Sequence, residues 1–227
     1  MFVRITTDPL PRSTSLGEIG IESDLNTKVS LNEFTYKKGT EIYGEKEPAD
    51  YVYQVKSGAV RSYKLLSDGR RQIGAFHLVG DIFGLENGLE HRFTAEAIVN
   101  TTVRLIKRRS LEIAAESDAM VSRNLLSMTT NNLQHAEDHM LLLGRKTSLE
   151  RVAAFLIEMD RRLTAAGVMP LPMSRRDIAD YLGLTLETVS RALSRLHELC
   201  IIGFIGTNQR QIILLDRRQL AELDLRD

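Results

Sequence analysis

Residues 173–199 read MSRRDIADYLGLTLETVSRALSRLHEL. Ser174 suits a helix N-cap, with Asp177 three positions on. Ile178, Ala179 and Leu182 recur at helical spacing and predict one buried face. Gly183 breaks that helix, Leu184 plugs the turn, and Thr185 caps a second helix. Glu187 falls in its first turn, where the helix dipole favours negative charge. Val189, Leu193 and Leu196 supply the second buried face. Two short helices about a tight turn with one glycine predict a helix-turn-helix. Beyond it, apolar runs at 201–205 and 211–215 flank a loop at 207–210, which predicts a wing.

The opposite face of the second helix carries Glu187, Ser190, Arg191 and Ser194. A helix that enters the major groove must show base-reading groups on its outward side. Arginine can donate twice to guanine, and glutamate can accept from the cytosine amino group. Glu187, Ser190 and Arg191 are therefore the expected base readers. Glu187 and Arg191 also fit an ordinary i,i+4 surface ion pair, and the two readings are compatible, since a glutamate can hold an arginine in place. Ser174, Arg175 and Arg176 open the first helix, and Thr185 and Thr188 open the second. Helix starts of this kind grip phosphate, so these five are the expected backbone contacts.

Working back along the chain, Thr147 and Glu150 form a capping-box pattern that starts a helix with Val152, Phe155, Leu156, Met159 and Leu163 on one face. Gly167 closes it, and Pro170 and Pro172 prevent its resumption. Before it, Leu126, Leu133 and Met140 lie seven apart with Thr129, Ala136 and Leu143 between them, an a/d seam over about three heptads. The seam is expected to meet a second copy through Leu126, Leu133, Ala136, Glu137 and Met140. A flanking stripe of Met120, Leu125 and Met128 is expected to cover the preceding domain. Gly144 is the expected end of this helix.

Residues 28–110 read as short β-runs punctuated by glycine. Asp68–Gly69 supplies the positive φ that a tight hairpin turn needs, between runs at 60–66 and 72–78. The expected fold is α+β: an arm at 1–27, a jelly-roll-like β-roll at 28–110, a dimerisation helix at 111–144, and a winged helix-turn-helix at 145–227.

Composition narrows the function. The chain has 227 residues, with thirty Lys and Arg against thirty Asp and Glu. Residues 145–227 hold thirteen basic and eleven acidic residues, a net of +2, so affinity for DNA must rest on placed arginines. One cysteine, Cys200, excludes an internal disulfide framework and an all-cysteine cluster within one chain. It sits in an apolar run and reads as a small buried residue. No signal segment or membrane-length apolar run occurs, which predicts a cytoplasmic protein. No nucleophile elbow, phosphate loop or HExxH motif occurs, so no enzyme is expected.

The segments DGRRQIGAFHL at 68–78, GDIFG at 80–84 and LGLTLETVSR at 182–191 resemble the Crp/Fnr superfamily of bacterial transcription regulators, and most of all its Fnr/FixK branch. The resemblance implies a β-roll, a long dimerisation helix and a C-terminal winged helix. It also implies that Glu187, Ser190 and Arg191 read TTGA-type half-sites of a TTGA/TCAA palindrome. Leu186 stands where the cyclic-AMP-receptor type has arginine, which favours the Fnr-like site. A homodimeric activator that contacts RNA polymerase is the implied function.

In the nucleotide-binding relatives, the pocket needs a carboxylate for the ribose and an Arg-Ser pair for the cyclic phosphate. Here Arg92 is followed by Phe93 where a small hydroxyl residue belongs. His135 and His139 are i,i+4 on the long helix, a pattern that suits two metal ligands and equally two ordinary polar residues. The resulting expectation is a FixK-like regulator with no integral cofactor or metal. The alternative is a regulator whose β-roll senses a small effector, a gas or haem.

Overall fold

A computed structural model describes residues 32–224 apart from residue 208. The expected arm at 1–27, the first residues of the expected β-roll at 28–31, one residue of the wing loop and the last three residues lie outside the described residues. Eight strands come first: β1 (Asn32–Tyr36), β2 (Glu41–Tyr43), β3 (Tyr51–Ser57), β4 (Val60–Leu65), β5 (Arg71–His77), β6 (Ile82–Phe83), β7 (Thr94–Ala97) and β8 (Thr101–Lys107). They form two antiparallel sheets, ordered β1-β8-β3-β6 and β2-β7-β4-β5. Such crossing between sheets is jelly-roll topology, as the glycine spacing predicted. The β4–β5 hairpin turns at Asp68–Gly69, with Gly69 at φ 82° and the Leu66 amide donating to the Arg70 carbonyl at 2.8 Å. Gly58 is required for space as well as for its φ of 85°: a Cβ there would lie 2.5 Å from the Asn100 carbonyl oxygen. Tyr43, Tyr53, Val55, Val60, Phe83, Ala95 and Val103 fill the interior between the sheets.

Two helices follow where the sequence reading expected one: α1 (Arg108–Ser117) and α2 (Ala119–Arg145). Asp118 separates them. Its backbone is extended (φ −130°), and its side chain accepts from the Met120 amide at 2.7 Å, capping α2. On one side of α2, Val121 and Met128 pack on Val52, Ile106 and Leu111, with Leu125 half-buried beside them. Met120, expected in the same stripe, is exposed instead, because it lies about 100° round the helix from Val121, off the side that meets the β-roll. Gly144 does not end α2, which continues to Arg145. Lys146 ends it by adopting extended backbone (φ −85°, ψ 145°) just before the cap of the next helix.

The remaining elements are α3 (Ser148–Leu163), β9 (Met169–Pro170), α4 (Arg175–Leu182), α5 (Leu186–Glu198), β10 (Ile202–Ile205), β11 (Gln211–Leu214) and α6 (Arg217–Asp224). Thr147 and Glu150 make the predicted capping box at the start of α3. The wing is a three-stranded sheet ordered β10-β11-β9. The α6 helix returns to α3 through buried Leu220 and Leu223, and Arg217 holds Asp160 with two hydrogen bonds of 2.8 and 3.0 Å.

One apolar core runs through both halves of the molecule. Ile73, Phe76, Leu78 and Ile98 of the β-roll pack with Phe155, Met159, Tyr181 and Leu182 of the C-terminal helices. The Phe76 and Tyr181 rings lie 5.1 Å apart, within aromatic contact. Cys200 is a correction: it is exposed, not buried. Its left-handed backbone (φ 56°) turns the chain out of α5, so that of this apolar run Ile201 and Ile202 enter the core and Cys200 faces outward.

Candidate nucleic-acid interface

The first helix of the predicted pair, α4, is closed at both ends by local chemistry. The Ser174 oxygen accepts from the Asp177 amide, and Asp177 reaches back to the Ser174 amide at 2.9 Å, a complete capping box. Gly183 ends the helix in the left-handed region (φ 62°), and the Leu184 amide donates to the Ala179 carbonyl at 2.9 Å. That turn delivers Thr185 as the cap of α5, where it accepts from the Thr188 amide at 3.2 Å. The hydroxyls of Thr185 and Thr188 lie 3.0 Å apart at the helix start. Val189, Ala192, Leu193 and Leu196 are buried, so the outward side of α5 is set without ambiguity.

Glu187, Arg191 and Ser194 lie on that outward side and are exposed. No ion pair within 4.0 Å joins Glu187 to Arg191 among the described residues, so the simple surface-pair reading does not account for them. Hydrogen bonds from its own backbone amide and from Thr185 hold the Glu187 carboxyl below the ordinary value, with the charges of Arg176 and Arg191 adding to the effect. It is an acceptor at neutral pH. Ser190 is half-buried and receives Arg175 Nη1 at 3.3 Å. Arg175 also donates to Gln209 in the wing. It therefore ties the recognition helix to the wing, a role the sequence reading did not assign it. Arg176 is exposed and makes a long contact of 3.7 Å to Asp180.

A second arginine escaped the sequence reading altogether. Arg151 donates to the carbonyls of Leu143, Lys146 and Leu182 at 2.8, 2.9 and 3.0 Å. These are carbonyls at the ends of α2 and α4, which have no partner within their own helices. One guanidinium thus fastens the α2 end to the helix-turn-helix. Its only sequence signal is its place directly after a capping box.

The expected second-copy residues share one side of α2. Leu126, Leu133 and Met140 are 68%, 59% and 66% exposed, and Ala136 and Glu137 are exposed with them. His135 and His139 take a different role from ordinary surface groups. They point from α2 toward α3 and α4: His135 Nε2 lies 3.2 Å from Glu158 and 3.5 Å from the Tyr181 hydroxyl, and the His139 ring stacks on Tyr181 at 4.2 Å. Among the described residues no group of three His, Cys, Asp or Glu is placed to hold a metal ion.

A cavity of about 380 Å³ lies between the β-roll and α2, lined in part by Ser62, His77, Glu86, Arg92, Phe93 and His135. Its position suits the nucleotide pocket of the resemblance, but its lining does not suit a cyclic phosphate. Arg92 is its one arginine among the described residues; it is 77% exposed and pairs with Glu86 at 3.1 Å. The Phe93 ring stands against Gly74, where a Cβ would lie 3.0 Å from it. Two carboxylates, Asp81 and Glu86, also line the cavity, each already paired with an arginine, Arg162 and Arg92.

Residues 150–223 match the Crp-like helix-turn-helix domain, and residues 33–118 match the cyclic nucleotide-binding domain. The chain is 48% identical over 169 residues to the nitrogen fixation regulation protein FixK of Rhizobium meliloti (strain 1021), covering 74% of this chain and 77% of that one. It is 44% identical over 194 residues to FixK of Azorhizobium caulinodans, covering 83% and 77%. The structure of FixK2 from Bradyrhizobium japonicum is similar with a TM-score of 0.84 and 68% identity, covering 87% of this chain and 99% of that one. No helix among the described residues is long and apolar enough to cross a membrane. The matched domains span both halves of the chain, and the relatives are transcription regulators and not enzymes: this chain belongs to the Crp/Fnr superfamily, in its FixK-like branch, and is a DNA-binding transcription regulator.

Proposed function

We propose that the protein binds a TTGA/TCAA palindrome as a homodimer and activates transcription through RNA polymerase, without an integral cofactor. The observation that carries this reading is the free outward face of α5, where Glu187 and Arg191 stand exposed beside Ser190. Two recognition helices about one DNA turn apart require two protomers. The exposed row of Leu126, Leu133 and Met140, flanked by Ala136 and Glu137, supplies the face that joins them. Arg191 donates to the guanine of the half-site, and Glu187 accepts from a cytosine amino group. Ser190 packs at the same edge. Arg176, Thr185 and Thr188 face the phosphates, with Ser174 at the cap behind them. Arg175 reaches phosphate only if it leaves Ser190 or Gln209, and otherwise holds the wing in register.

The test is a set of half-sites with each base changed singly, at one fixed salt concentration. A good base contact contributes about 1–3 kcal/mol of discrimination. Arg191→Ala is expected to lose affinity for TTGA and to relax preference at its G·C pair. Glu187→Ala is expected to lower specificity more than affinity. Arg176→Ala is expected to weaken all sequences alike and to flatten the salt dependence. Equal weakening of matched and mismatched sites by the first two variants would make Glu187 and Arg191 structural, and the base-reading assignment would fall.

A further inference from the structure

The side of α4 turned away from the recognition face carries a second constellation. Asp177, only 4% exposed, accepts at Oδ1 from Arg61 Nη1 at 2.6 Å and from Arg71 Nη2 at 2.7 Å. Arg71 Nε also donates to Asp180 Oδ2 at 2.9 Å. Arg61 Nη2 continues the network to Glu96 at 2.6 Å. The Tyr63 ring lies near both guanidinium groups, 5.9 Å from Arg61 and 5.6 Å from Arg71. Gln72 adds a long hydrogen bond to the Tyr181 carbonyl at 3.4 Å. All three donor side chains and the ring come from the β4–β5 hairpin, and both α4 carboxylates come from one turn of helix. Asp177 therefore has two duties: Oδ2 completes the cap of α4, and Oδ1 anchors the helix to the β-roll. Burial pushes its carboxyl up, but the hydrogen bonds from Ser174 and the charges of Arg61 and Arg71 outweigh this and hold it below the ordinary range.

The geometry of this network has a direction that the apolar contact beneath it lacks. Phe76 against Tyr181 resists separation but permits rotation, because apolar burial is non-directional. Guanidinium–carboxylate pairs fix angle as well as distance. The network also leaves the recognition face free: Glu187 and Arg191 are exposed and make no contact with it, and Arg176 is exposed with only its far contact to Asp180 reaching the network among the described residues. It is thus built to orient the helix-turn-helix, not to cover it. Since α5 packs on α4, and α2 is fastened to the same β-roll through Val121 and Met128, a rigid path runs from the outward face of α2 to α5.

We propose that Arg61 and Arg71 are positioning residues for DNA recognition: by clamping Asp177 and Asp180 to the β4–β5 hairpin they set the angle of α5, and so the half-site spacing that a dimer accepts. The spacing part rests on the palindrome-binding dimer proposed above; the clamp itself does not.

The test uses the full-length protein with Arg71→Gln, Arg71→Glu, Asp180→Arg, and the Arg71→Glu/Asp180→Arg pair. DNA affinity is measured on palindromes whose spacer is native, or one base pair shorter or longer. Hydrogen exchange at the α4 amides is measured without DNA. The single variants are expected to lose about tenfold on the native spacer, within the usual coupling inside one ion-pair network. They should lose less on the altered spacers, so that the preference for one spacing narrows, and α4 exchange should rise. The charge-swapped pair should recover part of both the preference and the protection, because it restores the 71–180 pair but leaves a carboxylate at 71 against Asp177. If the swap recovers neither while the single variants remain dimeric and folded, or if all variants keep wild-type spacing preference and exchange, the clamp is overturned. If the wild-type protein binds no palindrome, the dimeric reading fails, and exchange with its recovery by the swap still decides the clamp.

Discussion

Along α2, Val121 and Met128 are buried against Val52, Ile106 and Leu111, while Leu126, Leu133 and Met140 on the same helix stand exposed. The residue types on the two sides are alike, so composition does not explain the difference. What differs is the partner. The inner side is covered by the protomer's own β-roll, which suffices to fix the helix in place. The outer side has no cover within the protomer among the described residues, yet it runs apolar over about three heptads and extends to Leu141, also exposed. Single exposed leucines are ordinary on protein surfaces, but a continuous row of them is the mark of an interface. The comparison predicts that substitutions on the two sides fail in different ways: outer ones in assembly, inner ones in stability.

The largest expected effect is on the outer side. Leu133→Glu places two like charges face to face across the proposed twofold seam and should give folded monomers. A monomer engages one half-site at a time and forfeits avidity, about 10²- to 10⁴-fold in affinity for the full palindrome. Sedimentation and DNA titration together check this. A Leu133→Glu protein that still sediments as a dimer would move the interface elsewhere on the chain.

The next effect sharpens the inner side. Met128→Ala removes a buried side chain from the contact with the β-roll, and such truncations cost about 2–5 kcal/mol. The lower end is expected, because Met128 also borders the cavity and its neighbours have room to relax. Denaturant unfolding of the dimer at fixed protein concentration should show the loss, with dimer and palindrome binding retained below the transition. Loss of dimer without loss of stability would invert the assignment of the two sides.

Features decided within a few residues were legible in the sequence, and those decided by distant partners were not. The helix-turn-helix follows from Ser174, Gly183 and Thr185, each acting on backbone within four positions, and all three behave as read. The capping box at Thr147 and the hairpin at Gly69 are equally local. The heptad seam was visible as periodicity, and the exposed row agrees with it. Asp118 gave no such signal, since one acidic residue between helix formers looks like a surface charge until its side chain is seen capping α2. Asp177 was read as a cap partner and is one, but its bonds to Arg61 and Arg71 cross more than a hundred positions of chain. Cys200 was misread because burial was inferred from its apolar neighbours, whereas a positive φ turns its side chain outward. His135 and His139 were read from α2 alone, while their contacts belong to Glu158 and Tyr181 of other helices.

The smallest expected effect concerns the cavity that the inner side of α2 helps to close. If the clamp at Asp177 already holds the helix-turn-helix in its binding orientation, an effector in the cavity has little left to change, because a ligand shifts an equilibrium only by its differential affinity for two states. A cyclic nucleotide is also poorly matched there: Arg92 is turned out onto Glu86, and Phe93 stands against Gly74. Adding cyclic AMP is therefore expected to change palindrome affinity less than about twofold, below the 5- to 150-fold span of ordinary allosteric coupling. A titration of labelled palindrome with protein, with and without saturating nucleotide at one salt concentration, reads this directly. A tenfold gain, about 1.4 kcal/mol, would mean that Arg92 swings inward to meet the phosphate. Arg92→Ala would then abolish the gain, and the inner side of α2 would be a sensor as well as a support.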